Sequence, residues 1–330
     1  MQDALGGRWV LVVALLVMIP LGALAQESYE LTDAGWTETG VADADPGVAA
    51  IRRRVAGGEF KDAVEAAEDW LENNPGHPRT DAVLLARADA LSGLGRYWKA
   101  LYDYEKLIIE HPSSEHYLDA VRREFDIANL FIDGWKRKVL GLRVLPTDGE
   151  GEELLIRVQE RAPGTPVAEQ AAIKLADYYF DEQQMVLAAE AYQLFLENYA
   201  TSPLRERAML RLIQASLSRF KGPRFDATGL LEAQERLRVY ADEYPASAER
   251  IGASALQDRI TESLGRRDLA TAAWYRKRGE TLSAEVIWRR VLRDYPGTRA
   301  AREAAENLRA TGAPLSDGRD SRDDAEAAAP

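Results

Sequence analysis

Four predicted helices of this chain end at a proline twelve residues after a small alanine: Ala63 with Pro75, Ala100 with Pro112, Ala233 with Pro245 and Ala284 with Pro296. A fifth, Ala188, has Ala200 in the proline's place. Twelve residues of α-helix span about 18 Å at a rise of 1.5 Å per residue. Proline then ends the helix, because it lacks the N–H for the next backbone hydrogen bond and crowds the residue before it. A helix that stops repeatedly at one distance from one small residue is the mark of stacked helix pairs. A single pair cannot bury its apolar face alone.

The chemistry around each alanine repeats as well. Five residues earlier stand Gly58, Gly95 and Gly279, which suit a tight turn between paired helices. Three residues earlier stand Phe60, Tyr97, Met185 and Leu230, and four later Tyr104, Tyr192, Leu237 and Trp288. Seven and eight later come Trp70 with Leu71, Leu107 with Ile108, Phe195 with Leu196, and Val291 with Leu292. This spacing lays them along one stripe facing a neighbouring helix, with the alanine allowing close approach, so the aromatics are assigned to the core. Ala88 and Ala176, twelve before Ala100 and Ala188, are the matching small residues of first helices. A less regular pair has a first helix over 116–132 with Ala128 and a second over 152–161, ending near Pro163, twelve after Gly151. The pattern resembles the tetratricopeptide repeat. It predicts an all-α solenoid of about five to six helix pairs over 46–311, closed by a capping helix over 299–308.

Residues 1–25 have the order of a secretory signal: Arg8, an apolar run from Trp9 to Met18, Pro20 and Gly22, then Ala23-Leu24-Ala25 ahead of a cleavage point before Gln26. The competing reading is a retained anchor, since Trp9 to Ala25 is 17 residues and a span needs about 17–25. Residues 26–45 lack helical periodicity and read as an extended or disordered lead. Residues 312–330 carry Asp317, Asp320, Asp323, Asp324 and Glu326 among small residues and read as a solvated acidic tail.

Composition narrows the function classes. The formal net charge of −12 argues against a broad nucleic-acid-binding surface. There is no cysteine, which removes disulfides, thiolate zinc sites, a cysteine nucleophile and lipid attachment through sulfur within these residues. His77, His111 and His116 flank repeat boundaries and lack the i, i+4 spacing that puts two metal ligands on one helix face. No phosphate-binding glycine loop or nucleophile elbow is present. The expectation is a binding protein with no catalytic residues, metal or cofactor.

Specificity then belongs to residues that do not repeat. Two insertions join first to second helices and combine cations with aromatics: Trp135, Lys136, Arg137, Lys138 and Arg143 in one, with Leu140; Arg219, Phe220, Lys221 and Arg224 in the other, with Phe225. Loops of this kind project from one edge of a solenoid, which would meet an acidic partner surface or anionic headgroups. The alternative is that the aromatics fill gaps in their own repeats while the charges are solvated. A second candidate is the groove of first helices, where Arg122, Asn129, Gln170, Asp177 and Phe180 face inward by their offset from the small residue. That mixture suits an extended peptide.

The stretch 267–298, with Leu269-Ala270, Trp274-Tyr275, Arg278-Gly279, Ala284, Tyr295-Pro296 and Thr298, resembles the C-terminal repeat of the BamD-like family. These are periplasmic tetratricopeptide proteins of outer-membrane β-barrel assembly. Tyr97, Ala100, Tyr104 and Pro112, and the loop 219–228, extend the likeness over roughly 79–311. It implies a periplasmic scaffold, peripheral at the outer membrane, whose partner is a β-barrel assembly protein or an unfolded barrel peptide. The lipid-modified cysteine of that family is absent, so the chain is expected not to be a lipoprotein, and residues 133–150 have no counterpart. Other envelope roles remain open: an adaptor linked to peptidoglycan synthesis and division, or a binding domain of polysaccharide enzymes.

Overall fold

The computed structural model describes residues 28–32, 35–39, 45–139, 142–145, 147–220, 222 and 226–315. The proposed signal and most of the acidic tail lie outside the described residues. The chain divides into two compact units, 1–103 and 104–330, with the boundary inside one helix.

In the first unit, strands β1 (Ser28–Thr32) and β2 (Gly35–Thr39) pair antiparallel within the segment read as an extended lead. Helices α1 (Pro46–Ala56), α2 (Phe60–Asn73) and α3 (Thr80–Gly93) follow, and α4 (Tyr97–Glu110) carries the boundary. The Asp45 carboxylate caps α1, accepting from the N–H groups of Gly47 at 2.8 Å and Val48 at 3.3 Å. Its second oxygen accepts from Trp70 Nε1 at 3.2 Å, so one side chain starts α1 and seats it on α2. Val48, Ile51, Ala67, Trp70, Val83 and Ala86 form the core there.

The second unit runs through α5 (Tyr117–Ile132), strands β3 (Arg137–Val139) and β4 (Leu142–Leu145), then α6 (Asp148–Arg161). It continues with α7 (Pro166–Asp181), α8 (Met185–Asn198), α9 (Arg205–Ser218) and α10 (Thr228–Glu243). The short α11 (Pro245–Ile251), the 25-residue α12 (Ala253–Lys277), α13 (Thr281–Asp294) and the closing α14 (Arg299–Thr311) complete it. Helix pairing in sequence order gives the expected all-α, tetratricopeptide-like array, with two short hairpins as its strands among the described residues.

The repeat positions do what their spacing predicts. Ala63, Ala100, Ala188, Ala233 and Ala284 are fully buried, as are Tyr104 and Tyr192, while Leu237 and Trp288 are 1% exposed. Two boundaries need correction. Helix α6 begins at Asp148, a turn before the predicted 152, and the connection ahead of it is a paired ribbon. The small residue of this pair is Gly151, where an added Cβ would lie 3.0 Å from the Ile132 backbone nitrogen, so α6 runs close against the end of α5. The region before the last pair also holds α11 and a long first helix, which the twelve-residue spacing did not announce. Helix α12 contributes Ile260 and Leu264 to the core under α9 and α10, and Leu269 and Ala272 to the next core with α13 and α14. Glu262 on α12 accepts from the N–H groups of Arg299 at 2.7 Å and Ala300 at 3.3 Å, fastening the start of the cap helix.

Four turns between paired helices share one left-handed backbone position, three with glycine and one without. Gly58, Gly95 and Gly279, each five residues before the buried alanine, have φ of 76°, 70° and 80°. The equivalent position before Ala188 is Gln183, with φ of 61°. A side chain in this left-handed region costs on the order of 1 kcal/mol that glycine does not. Gln183→Gly is therefore expected to raise stability by about 0.5–1 kcal/mol, less than the full strain because glycine is also freer when unfolded. Urea denaturation checks it, and a loss of stability would show that Gln183 is held by more than its turn.

Buried charge recurs between helices. Asp103 on α4, 1% exposed, accepts from Arg87 Nε at 2.7 Å and Nη2 at 2.6 Å. Glu124 on α5, fully buried, accepts from Arg161 Nη1 at 2.6 Å on one oxygen and again on the other. Arg161 Nη2 donates to Glu105 at 2.7 Å.

Candidate protein-binding surface

Helix α7 begins at Pro166 behind the Thr165 cap, whose hydroxyl accepts from the Ala168 N–H. Burial of Ala168, Ala172, Leu175 and Ala176 fixes its rotation, leaving Gln170 exposed and Asp177 and Phe180 half-buried. Asp177 is a junction for three helices. One oxygen accepts from the Tyr192 hydroxyl of α8 at 2.6 Å, and the other from Arg207 Nη1 of α9 at 2.9 Å. Burial first, and then this carboxylate, push the Tyr192 phenol far above its ordinary pKa, so it is a fixed donor. One turn on, the Arg211 guanidinium lies 4.5 Å from the centroid of the Phe180 ring, which meets Tyr192 edge-on at 6.4 Å.

Two of the five predicted groove residues are thus built into one layer across α7, α8 and α9. Gln170 lies two turns earlier on α7. Arg122, exposed, and Asn129, half-buried, belong to α5, and among the described residues the polar and ring contacts of Asp177 and Phe180 run to α8 and α9. Sequence reasoning missed Arg207 and Arg211. Their i, i+4 spacing, which puts both guanidiniums on one face of a first helix, was the available signal.

The insertions look different in three dimensions. Trp135 is half-buried and stacks on buried Phe131 with centroids 5.3 Å apart. Its carbonyl accepts from the Thr147 hydroxyl at 2.5 Å, closing the base of the ribbon. Phe220 packs against the core under α9 and α10. Both aromatics thus make contacts within their own repeats and stay partly exposed. Lys136 is exposed. Arg137 and Lys138 lie on β3 and Arg143 on β4, where the register sets Lys138 opposite Arg143. Arg219 pairs with Glu232 at 3.0 Å. Lys221, Arg224, Phe225 and Leu140 lie outside the described residues.

Among the described residues no group of three or more His, Cys, Asp or Glu is arranged to hold a metal ion, and no helix is long and apolar enough to cross a membrane. A tetratricopeptide-type array whose unrepeated side chains form a braced polar and aromatic face defines an interaction protein. A family model described as YfiO, outer membrane lipoprotein, matches residues 150–314, half of the sequence, and the chain belongs to this family, the BamD family. The match takes in the last repeat recognised above and leaves 97–112 outside. No curated protein matches the chain. Among solved structures, a putative kinesin light chain of Podosopora anserina with nearly identical TPR-like repeats is 18% identical, covering 61% of this chain and 95% of its own, with a TM-score of 0.32. PilW, a type IV pilus biogenesis factor, is 14% identical over 79% of this chain and 97% of its own, with a TM-score of 0.30. At these scores neither bears on what this chain does.

Proposed function

We propose that this protein is a periplasmic scaffold in outer-membrane protein assembly, and that the α7–α9 face receives an extended segment of a β-barrel protein or of a barrel-assembly partner. Membership in the family supports the setting. The observation that carries the surface is the Asp177–Tyr192–Arg207 and Phe180–Arg211 layer. A barrel strand before pairing offers backbone donors and acceptors and alternating apolar side chains. Gln170 supplies both a donor and an acceptor, Arg207 still has N–H groups to donate, and the Arg211–Phe180 pair gives a flat contact. Side chains already held by neighbours lose little entropy on binding.

In this reading residues 1–25 serve export. In the same reading, attachment at the outer membrane is through partners. The basic ribbon at Lys136, Arg137, Lys138 and Arg143 is a second contact face, acting through charge, because Trp135 is engaged with Phe131.

A photo-crosslinking residue at Gln170 in intact cells is expected to capture outer-membrane barrel proteins or a barrel-assembly component. Yield is expected to fall severalfold when Arg211→Ala removes the cation from Phe180. Adducts confined to peptidoglycan or polysaccharide enzymes, or a yield indifferent to Arg211, would reject the proposal.

A further inference from the structure

A second site lies in the last repeat, apart from the α7–α9 face. A cavity of about 860 Å³ opens beside the C-terminal half of α12, lined by Arg267, Trp274 and Lys277 of α12, Arg290 of α13, and Asp226 and Ala227 ahead of α10. Its organising group is Asp268, 2% exposed. One carboxylate oxygen accepts from Arg267 Nε at 3.1 Å and Nη2 at 2.9 Å; the other accepts from Arg290 Nε at 3.1 Å and forms an ion pair with Nη2 at 3.0 Å. One buried anion therefore orients two guanidiniums and, among the described residues, leaves Nη1 of each uncommitted. Lys277 adds a third cation, exposed and with no such carboxylate partner among the described residues. Trp274, 52% exposed, carries Arg278 with its Cζ 4.6 Å from the ring centroid. In a protein of net charge −12, this pocket has a surplus of oriented N–H donors and a flat aromatic wall. Planar carboxylates on an extended chain match it, since guanidinium N–H groups pair with carboxylate in a fork.

We infer that this cavity binds the carboxylates of an acidic segment, and that the segment is the chain's own residues 316–330. Those residues place Asp317, Asp320, Asp323, Asp324 and Glu326 against only Arg319 and Arg322. The described chain ends at Leu315, one residue after the Pro314 carbonyl accepts from Arg289 Nε at 3.1 Å. Arg289 adjoins Arg290, so the segment departs from the helix that lines the cavity. Ten extended residues reach about 33 Å. A tethered ligand sits at an effective concentration on the order of millimolar, so a weak contact suffices for occupancy. The site is then self-occluded, and an outside acidic peptide must displace the tail.

Zero-length carbodiimide coupling of the full chain, followed by peptide mass spectrometry, tests this. Lys277 is expected to form amide links to carboxylates within 317–326, several times more often than exposed Lys61 or Lys99 does. Mixing isotope-labelled and unlabelled protein should show these links to be within one chain. They should fall severalfold in 0.5 M salt, as exposed charge contacts do on the scale of a roughly 4–5 Å Debye length. Trp274→Ala, which removes an exposed wall, and Arg290→Gln, checked for folding by circular dichroism, should each lower the yield. Equal linkage at all exposed lysines, links only between chains, or a yield unaffected by both substitutions overturns the inference.

Discussion

Arg161→Ala is expected to destabilise the protein by about 3–5 kcal/mol near neutral pH, because it strands a fully buried carboxylate. Burial is the largest influence on Glu124 and pushes its carboxyl up; the hydrogen bonds and charge of Arg161 pull it down. Without the guanidinium only the upward push remains strong, and Glu124 folds more readily as the neutral acid. A carboxyl whose folded pKa is raised contributes stability that is fully present below its unfolded pKa, about 4.3, and lost as pH rises through the folded value. The penalty of Arg161→Ala should therefore be larger at pH 8 than at pH 5. Urea denaturation at the two pH values measures it, and a penalty independent of pH would contradict the assignment. Glu105→Gln at the exposed end of the same network is expected to cost less than about 1 kcal/mol.

Trp288→Ala is expected to cost about 3–5 kcal/mol, the range for emptying a large buried aromatic site. Its location makes the loss regional. Trp288 packs with Leu269, Ala272, Ala284, Val291, Ala304 and Leu308 in a core distinct from the one that holds Met209, Leu237, Tyr240 and Leu264. In repeat arrays each unit is stabilised by its neighbours, so damage to a terminal core loosens that end first. Amide hydrogen exchange should accelerate across about 267–311 and change little over 205–264. Uniform acceleration through the second unit would mean that it unfolds as one block.

The parts of this fold legible in the sequence are those set by local rules that repeat. The alanine-to-proline interval marked where second helices lie, and the stripe at Tyr104, Tyr192, Leu237 and Trp288 marked their buried face. What escaped had no copy to compare it with. Helix α12 was unreadable as one long element because its two halves serve different cores. The paired strands between α5 and α6 hid in a segment read only as an insertion. The candidate surface was half visible: offset from the small residue found Asp177 and Phe180, but their partners Arg207 and Arg211 come from another helix, and a contact between helices has no signature in either. Trp135 and Phe220 stayed ambiguous for the converse reason, since an aromatic beside cations reads alike whether it faces a partner or packs on its own repeat.

Helix α12 behaves as a shaft carried in two bearings. Its 25 residues run about 37 Å without a break. Ile260 and Leu264 seat one part of it in the core under α10, Leu269 and Ala272 seat another under α13, and Glu262, between Ile260 and Leu264, ties the cap helix to it. A shaft held at two points cannot pivot at either one. Because α12 is one continuous helix, a displacement at Trp274 is carried along it toward the core under α10.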